Sequence, residues 1–178
     1  MDKAVKVLDQ IDLFLEKIEK SIGTALLVIM TVAAFVQVIF RYVLEMSIMG
    51  TEELARYCMI YLVFLGAALA VYRKSHITLD AITTIIKNKS ALKALLYFLD
   101  VVAFFVMVVF AIWSWEYLVY AIGSGQKTVD LEMPYWIPIS SLFVAGALSC
   151  WHLAVRLLKG LLSLIGDSSQ FGNVQGGA

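Results

Sequence analysis

Apolar residues fill four long stretches of the chain, 22–40, 54–72, 95–120 and 135–158, with few polar positions inside them. A helix rises 1.5 Å per residue, so about 20 such residues cross a hydrocarbon layer about 30 Å thick. Each stretch meets or approaches that length, and the pattern predicts four transmembrane helices. Ahead of the first, Ala4, Leu8, Ile11, Leu15, Ile18 and Ile22 recur at intervals of four and three. Asp2, Lys3, Lys6, Asp9, Asp12, Glu16, Lys17, Glu19 and Lys20 take the remaining faces. This predicts an amphipathic helix over 1–21 lying on the membrane surface, although a seam against a partner helix has the same period. Between the second and third stretches, Ile77, Ile82, Ile85 and Ile86 stand among Thr83, Thr84, Lys87 and Lys89, a second surface helix. The expected fold is therefore an all-α integral membrane protein: surface helix, hairpin, surface helix, hairpin. Residues 22–158 form the membrane domain and 159–178 a tail, whose Gly-rich end at 171–178 reads as flexible linker.

Composition sharpens this picture. Hydrophobic residues make up 61% of the chain and charged residues 16%, against about 25% charged in a soluble domain, so a single water-soluble core is excluded. No basic stripe interleaved with aromatics points to nucleic acid. The first stretch is too long for a cleavable signal and lacks a small-residue cleavage site after it. Cys58 and Cys150 both lie inside apolar runs, near opposite membrane faces on the expected topology, and read as small packing thiols.

Lys and Arg fall on alternate connections. Lys3, Lys6, Lys17 and Lys20 precede the first span; Arg73, Lys74, Lys87, Lys89 and Lys93 occupy the middle connection; Arg156 and Lys159 end the fourth. The other side holds Arg41 and Lys127, with Arg56 just inside the second span. Positive charge stays inside, so both termini and the middle connection are expected in the cytoplasm. Trp113, Trp115, Tyr117, Tyr120, Tyr135 and Trp136 then gather at the outer interface, where amphipathic rings settle.

Charges at or within spans are functional candidates by default. Asp100 and Glu116 bracket a charge-free stretch and stand about 24 Å apart along a helix axis, so each lies near an interface. Asp100 either reaches headgroups or packs inward against a cation on a neighbouring helix or subunit. Gln37 reads as a polar link between helices. At the second span, Thr51 is placed to cap the helix, Glu52 and Glu53 to favour its positive N-terminal dipole, and Arg56 to pair with them at i+4 and i+3. The group is either a well-made helix start or a charged platform for a partner. Gly66 with Ala70, and Ser141 with Ala145 and Ser149, form small-residue ridges over which helices can approach.

Other chemistry is missing from the sequence pattern. His76 and His152 cannot form a bis-His haem pair in the bundle core, and His76 with Asp80 supplies two metal ligands without a third. No Gly-rich phosphate loop, catalytic Ser/His/Asp set or acid in the middle of the first span appears. Pro134 and Pro138 sit at the start of the fourth span, where a helix tolerates them. Transporters build midplane sites from broken helices in paired repeats; these spans are unbroken, so a transport role needs a larger partner.

The run Arg41-Tyr42, Thr51-Glu52-Glu53-Leu54-Ala55-Arg56-Tyr57, Phe64-Leu65-Gly66-Ala67-Ala68, His76-Ile77 and Asp80 resembles the small membrane subunit, DctQ type, of tripartite ATP-independent periplasmic (TRAP) transporters. Met133-Pro134-Tyr135-Trp136 and Pro138 resemble that family's entry into its last helix. The likeness extends over roughly 11–159, with Gly50 standing where many relatives carry Trp. The resemblance implies a bacterial inner-membrane protein without enzymatic activity, catalytic residues, metal or cofactor of its own. It implies a large transmembrane subunit that carries the sodium and substrate sites, and a periplasmic protein that captures a C4-dicarboxylate, sialic acid or similar carboxylate. The small subunit would brace the large one and help dock the binding protein. Arg41, Glu52, Glu53, Arg56, Gly66, Ala70, Asp100, Asp130, Glu132, Ser141, Ala145 and Ser149 are then the candidate partner contacts. A haem-bearing or plain anchor of a redox complex and an autonomous four-helix exporter are the competing readings.

Overall fold

A computed structural model describes residues 2–46, 48–72 and 89–174, with side chains described at 7–8, 10–46, 48–72, 92 and 94–161. These residues form four helices: α1 (Asp2–Tyr42), α2 (Thr51–Tyr72), α3 (Lys89–Ser124) and α4 (Trp136–Val174). Their segments Gln10–Tyr42, Thr51–Tyr72, Ala94–Ser124 and Trp136–Leu161 are long and apolar enough to cross a membrane. The four-span, all-helical expectation holds among the described residues, where the only β feature is one bridge between Lys127 and Pro134.

Three expectations meet a different outcome. The segment expected as a separate surface helix, 1–21, continues without interruption into the first span as one helix. No Pro stands near the junction, and Gly23 does not break the helix; a Cβ there would meet Leu62 of α2 at 3.7 Å, an ordinary contact. Part of the apolar stripe also turns outward: Ile11, Ile18 and Ile22 are exposed and Leu8 and Leu15 half-buried, while Asp12 and Glu19 are buried. The fourth helix runs on to Val174, past the expected span end at residue 158 and into the Gly-rich stretch. The second surface helix, with His76 and Asp80, lies outside the described residues.

The helices pack as a row in the order α1, α2, α4, α3, with only light contact between α1 and α4. Two antiparallel hairpins, α1–α2 and α3–α4, are joined by short connections. They meet where α2 and α4 run parallel: Tyr61 faces Ile137 and Ser140, and Val71 faces Arg156. Both short connections lie at one end, here the hairpin end; the start of α1 and the late turns of α4 lie at the other, the tail end. Helix α4 supplies much of the core, with Ser141, Ala145, Ser149, Leu153 and Val155 buried against Leu65, Ala68 and Val71 of α2 and against α3. At Gly146 an added Cβ would stand 3.2 Å from the Ala111 Cα, so the bare glycine lets α3 and α4 backbones come together. Near the hairpin end Leu118 and Ala121 of α3 cluster with Ile139 of α4, flanked by Tyr135 and Phe143.

Polar side chains inside the spans are satisfied locally, as a medium without water demands. Thr24 and Thr31 donate to the carbonyls of Lys20 and Leu27 at 2.8 Å, Ser114 to Phe110 at 2.7 Å, and Ser141 to Pro138 at 2.7 Å. The outer helices of the row, α1 and α3, expose Val28, Val32, Phe35, Phe98, Phe105 and Val106, which suits a hydrocarbon surround.

Candidate functional site

At the hairpin end, the start of α2 and the α3–α4 connection are built into one unit by Glu53. Its Oε2 accepts the backbone N–H groups of Asp130 and Leu131, each at 2.8 Å, and its Oε1 accepts the Tyr57 hydroxyl. The carboxylate is buried. The connection folds as a small hairpin: Thr128 N–H donates to the Met133 carbonyl at 2.8 Å, Tyr135 N–H to Gln126 at 2.9 Å, and Met133 N–H to the Thr128 hydroxyl at 3.0 Å. Glu132 adopts φ 50° in its turn. Val129, at 90% exposure, therefore stands out at the tip beside exposed Asp130 and Glu132.

The expected cap is displaced by one residue. Gly50 occupies it, its carbonyl accepting Leu54 N–H at 2.9 Å, while the Thr51 hydroxyl donates back to Ile48 at 3.1 Å. Gly50 has φ 88°, and a Cβ there would come within 2.6 Å of Leu131. Glycine is favoured at this left-handed position for both reasons. The expected pairing of Glu52 and Glu53 with Arg56 is not formed either. Glu53 is taken by the hairpin, Glu52 accepts the Gln37 side-chain N–H at 2.5 Å, and Arg56 is exposed. The backbone donors and a neighbouring amide outcompete a pair that water would screen. Gln37 does link α1 to α2. Arg41, Glu52 and Asp130 come together with Gln37 and Gly50 around a cleft of about 140 Å³.

In the interior, Ser141, Ala145 and Ser149 form a ridge used within this chain, at 1%, 4% and 3% exposure. Gly66 differs: it is exposed, and nothing lies within 4 Å of where its Cβ would be. Ala67 beside it is exposed and Ala70 half-buried.

At the tail end, Asp100 packs inward and pairs with Arg156 of α4, Oδ1 to Nη2 at 2.5 Å. Arg156 Nη1 also donates to the Val71 carbonyl at 3.0 Å, so this one guanidinium joins α2, α3 and α4. One turn earlier on α4, His152 is buried between two carboxylates of α1: Nδ1 to Asp12 Oδ1 at 2.6 Å and Nε2 to Glu19 Oε1 at 2.9 Å. The Tyr72 ring of α2 lies against the imidazole at 5.1 Å. Both ring nitrogens are engaged by carboxylates, which leaves neither free to ligate a haem iron. Sequence reasoning placed Asp12 and Glu19 on a solvated face and missed this cluster. Its signal was present: two acids seven residues apart share a helix face, and an ionisable residue inside an apolar run needs a partner.

The profile of the family described as tripartite ATP-independent periplasmic transporters, DctQ component, matches residues 30–163. A Haemophilus influenzae protein described as a TRAP transporter small permease protein is 34% identical over 76 residues. That match covers 43% of this chain and 45% of the relative, so it spans about half the relative's length.

Proposed function

Because the chain belongs to the DctQ-component family of tripartite ATP-independent periplasmic transporters, we propose that this small permease subunit is a non-catalytic brace for a large transport subunit. In this reading it also offers a periplasmic docking surface, and the sodium and substrate sites lie in the other two proteins. The cargo class is an organic acid, such as a C4-dicarboxylate or sialic acid. The chain sits in the bacterial inner membrane with both termini cytoplasmic, so the hairpin end faces the periplasm. The inner part of α1 rests at the cytoplasmic headgroup level, and the subunit needs no cofactor of its own.

The observation that carries the reading is the placement of charge. No charged side chain lies between Lys20 and Arg41 on α1, between Arg56 and Tyr72 on α2, between Asp100 and Glu116 on α3, or between Trp136 and His152 on α4. An ion or carboxylate path needs polar groups at mid-depth. Charge instead gathers at the two ends, where Arg41, Glu52, Asp130 and Glu132 offer a surface and Glu53 holds that surface in shape. The open row supports the same view, since it leaves Gly66 and Ala67 uncovered for a closely approaching helix.

The test uses the complete three-part transporter in vesicles. Asp130→Lys with Glu132→Lys is expected to reduce uptake severalfold at limiting binding protein and to approach normal uptake at saturating binding protein, with the two membrane subunits still copurifying. Unchanged uptake at limiting binding protein would remove the docking role. Uptake by vesicles holding the large subunit and binding protein alone, at the full rate, would remove the bracing role.

A further inference from the structure

The buried group at the tail end has a definite proton count. A neutral imidazole has one donor nitrogen and one acceptor nitrogen. Here each nitrogen faces a carboxylate oxygen, at 2.6 Å and 2.9 Å. With only one proton in the two contacts, a bare lone pair would oppose carboxylate oxygen at that distance. The arrangement therefore holds together with two protons, one in each contact, whether they are drawn on the ring or one is drawn on a carboxyl group. His152 and Glu19 are each 3% exposed and Asp12 6%, so water does little to relieve a missing proton. Glu19 Oε2 is itself buried without a hydrogen-bond partner, a place where a further proton is accommodated.

We propose that Asp12, Glu19 and His152 form a proton-binding clasp that fastens the tail-end half of α1 onto α4. This inference is about the chain's own assembly and does not rest on the transport reading. The clasp is placed to matter mechanically because α1 otherwise touches α4 only lightly and rests on α2. The surroundings define which groups bear on it. From α1 these are Asp12 and Glu19, with Glu16 on the same face and engaged in an interaction of its own. From α2 it is Tyr72. From α4 and α3 it is Arg156, one turn from His152 and already paired with Asp100; Lys159, two turns away, is also engaged. The pair of Arg156 with Asp100 leaves the clasp with a net single negative charge. Loss of a proton adds a second negative charge inside the bundle, and the two α1 carboxylates then repel what holds them.

The test uses the full chain in nanodiscs of phosphatidylethanolamine and phosphatidylglycerol. Spin labels go on Gln10→Cys and Leu161→Cys, with Cys58→Ala, Cys150→Ala and His76→Gln leaving His152 as the one histidine for nitrogen-15 spectra. The expected result is a short, narrow label distance while both ring nitrogens carry protons. As the pH is raised, the distance lengthens or broadens with the same midpoint as the ring titration. In His152→Gln that step is lost. Glu19→Gln is expected to stay closed through the titration, because an amide can accept from N–H or donate to a bare nitrogen. A ring that loses its proton with the distance unchanged overturns the proposal, as does a step that survives in His152→Gln. Should His152→Gln fail to insert, Glu19→Gln decides: opening at the wild-type midpoint overturns the clasp.

Discussion

At Glu53 three donors converge on one carboxylate: the Tyr57 hydroxyl and the amides of Asp130 and Leu131. Two of those donors are main-chain groups of a connection 77 and 78 residues away, so this side chain sets the shape of the hairpin-end surface. Glu53→Ala leaves both amides without this acceptor, and water can reach them in the exposed tip. Exchange of the Asp130 and Leu131 amides should therefore speed up severalfold while amides in the middle of α4 hold their rates. Uniform protection across both regions would show that the hairpin holds its shape without Glu53. Gly50 carries a related prediction. Gly50→Ala must place a side chain at φ 88° against Leu131, which costs about 1–2 kcal/mol in backbone strain alone. A lowered melting temperature for that variant, with Gly125→Ala as a control in open space at φ 61°, separates strain with collision from strain by itself.

Among the helices, two glycines in similar apolar settings should respond in opposite ways. Gly146 lets α4 approach the α3 backbone, and a leucine there has to force the Ala111 region away; overpacking of this kind costs about 1–3 kcal/mol. Among the described residues, nothing lies within 4 Å of where a Cβ at Gly66 would stand. Gly66→Leu should leave the isolated subunit at least as stable, since leucine favours helix over glycine by about 0.5–1 kcal/mol, yet lower the yield of copurified large subunit. Loss of stability in Gly66→Leu would show that the position is packed within the chain, and full copurification would show that this face meets lipid and not the large subunit. The sequence made the four membrane-length helices legible because twenty-residue apolar runs have few alternatives. It did not show which small residues face inward, since Gly66–Ala70 and Ser141–Ser149 carry the same spacing and differ only in which neighbour the row supplies. Nor did it show that Ile11, Ile18 and Ile22 of early α1 face outward while Asp12 and Glu19 turn in. Amphipathic spacing locates a face; the partner that the face meets is a tertiary fact. At the start of α2 the local spacing pointed to a pairing of Glu52 and Glu53 with Arg56, and Glu53 is held instead by loop amides 77 and 78 residues away, which leave no trace in local spacing.

For the molecule as a whole, the row is closed differently at its two ends. The hairpin end is held by Glu53 on backbone donors and Glu52 on the Gln37 amide, and the tail end by two charged clusters that reach across helices. Arg156 is one point where the two hairpins are tied, because its guanidinium contacts both α2 and α3 from α4. Its Nε is buried without a partner, so the residue already gives up some hydrogen bonding to hold that position. Arg156→Gln should lose both the Asp100 and the Val71 contacts and destabilise the chain by about 1–3 kcal/mol. Asp100→Asn keeps a short polar acceptor and the Val71 contact, and should cost less. If the two side chains act mainly through each other, the double variant should lie close to Arg156→Gln alone, not at the sum of the single effects. Steric-trap or thermal unfolding in bilayer-like discs measures all three. An additive result would mean that Arg156 acts through Val71 and that Asp100 is a separate, headgroup-facing group. A non-additive one would mean that the α3–α4 ion pair steadies the guanidinium whose other arm, on the Val71 carbonyl of α2, keeps the second hairpin against the first.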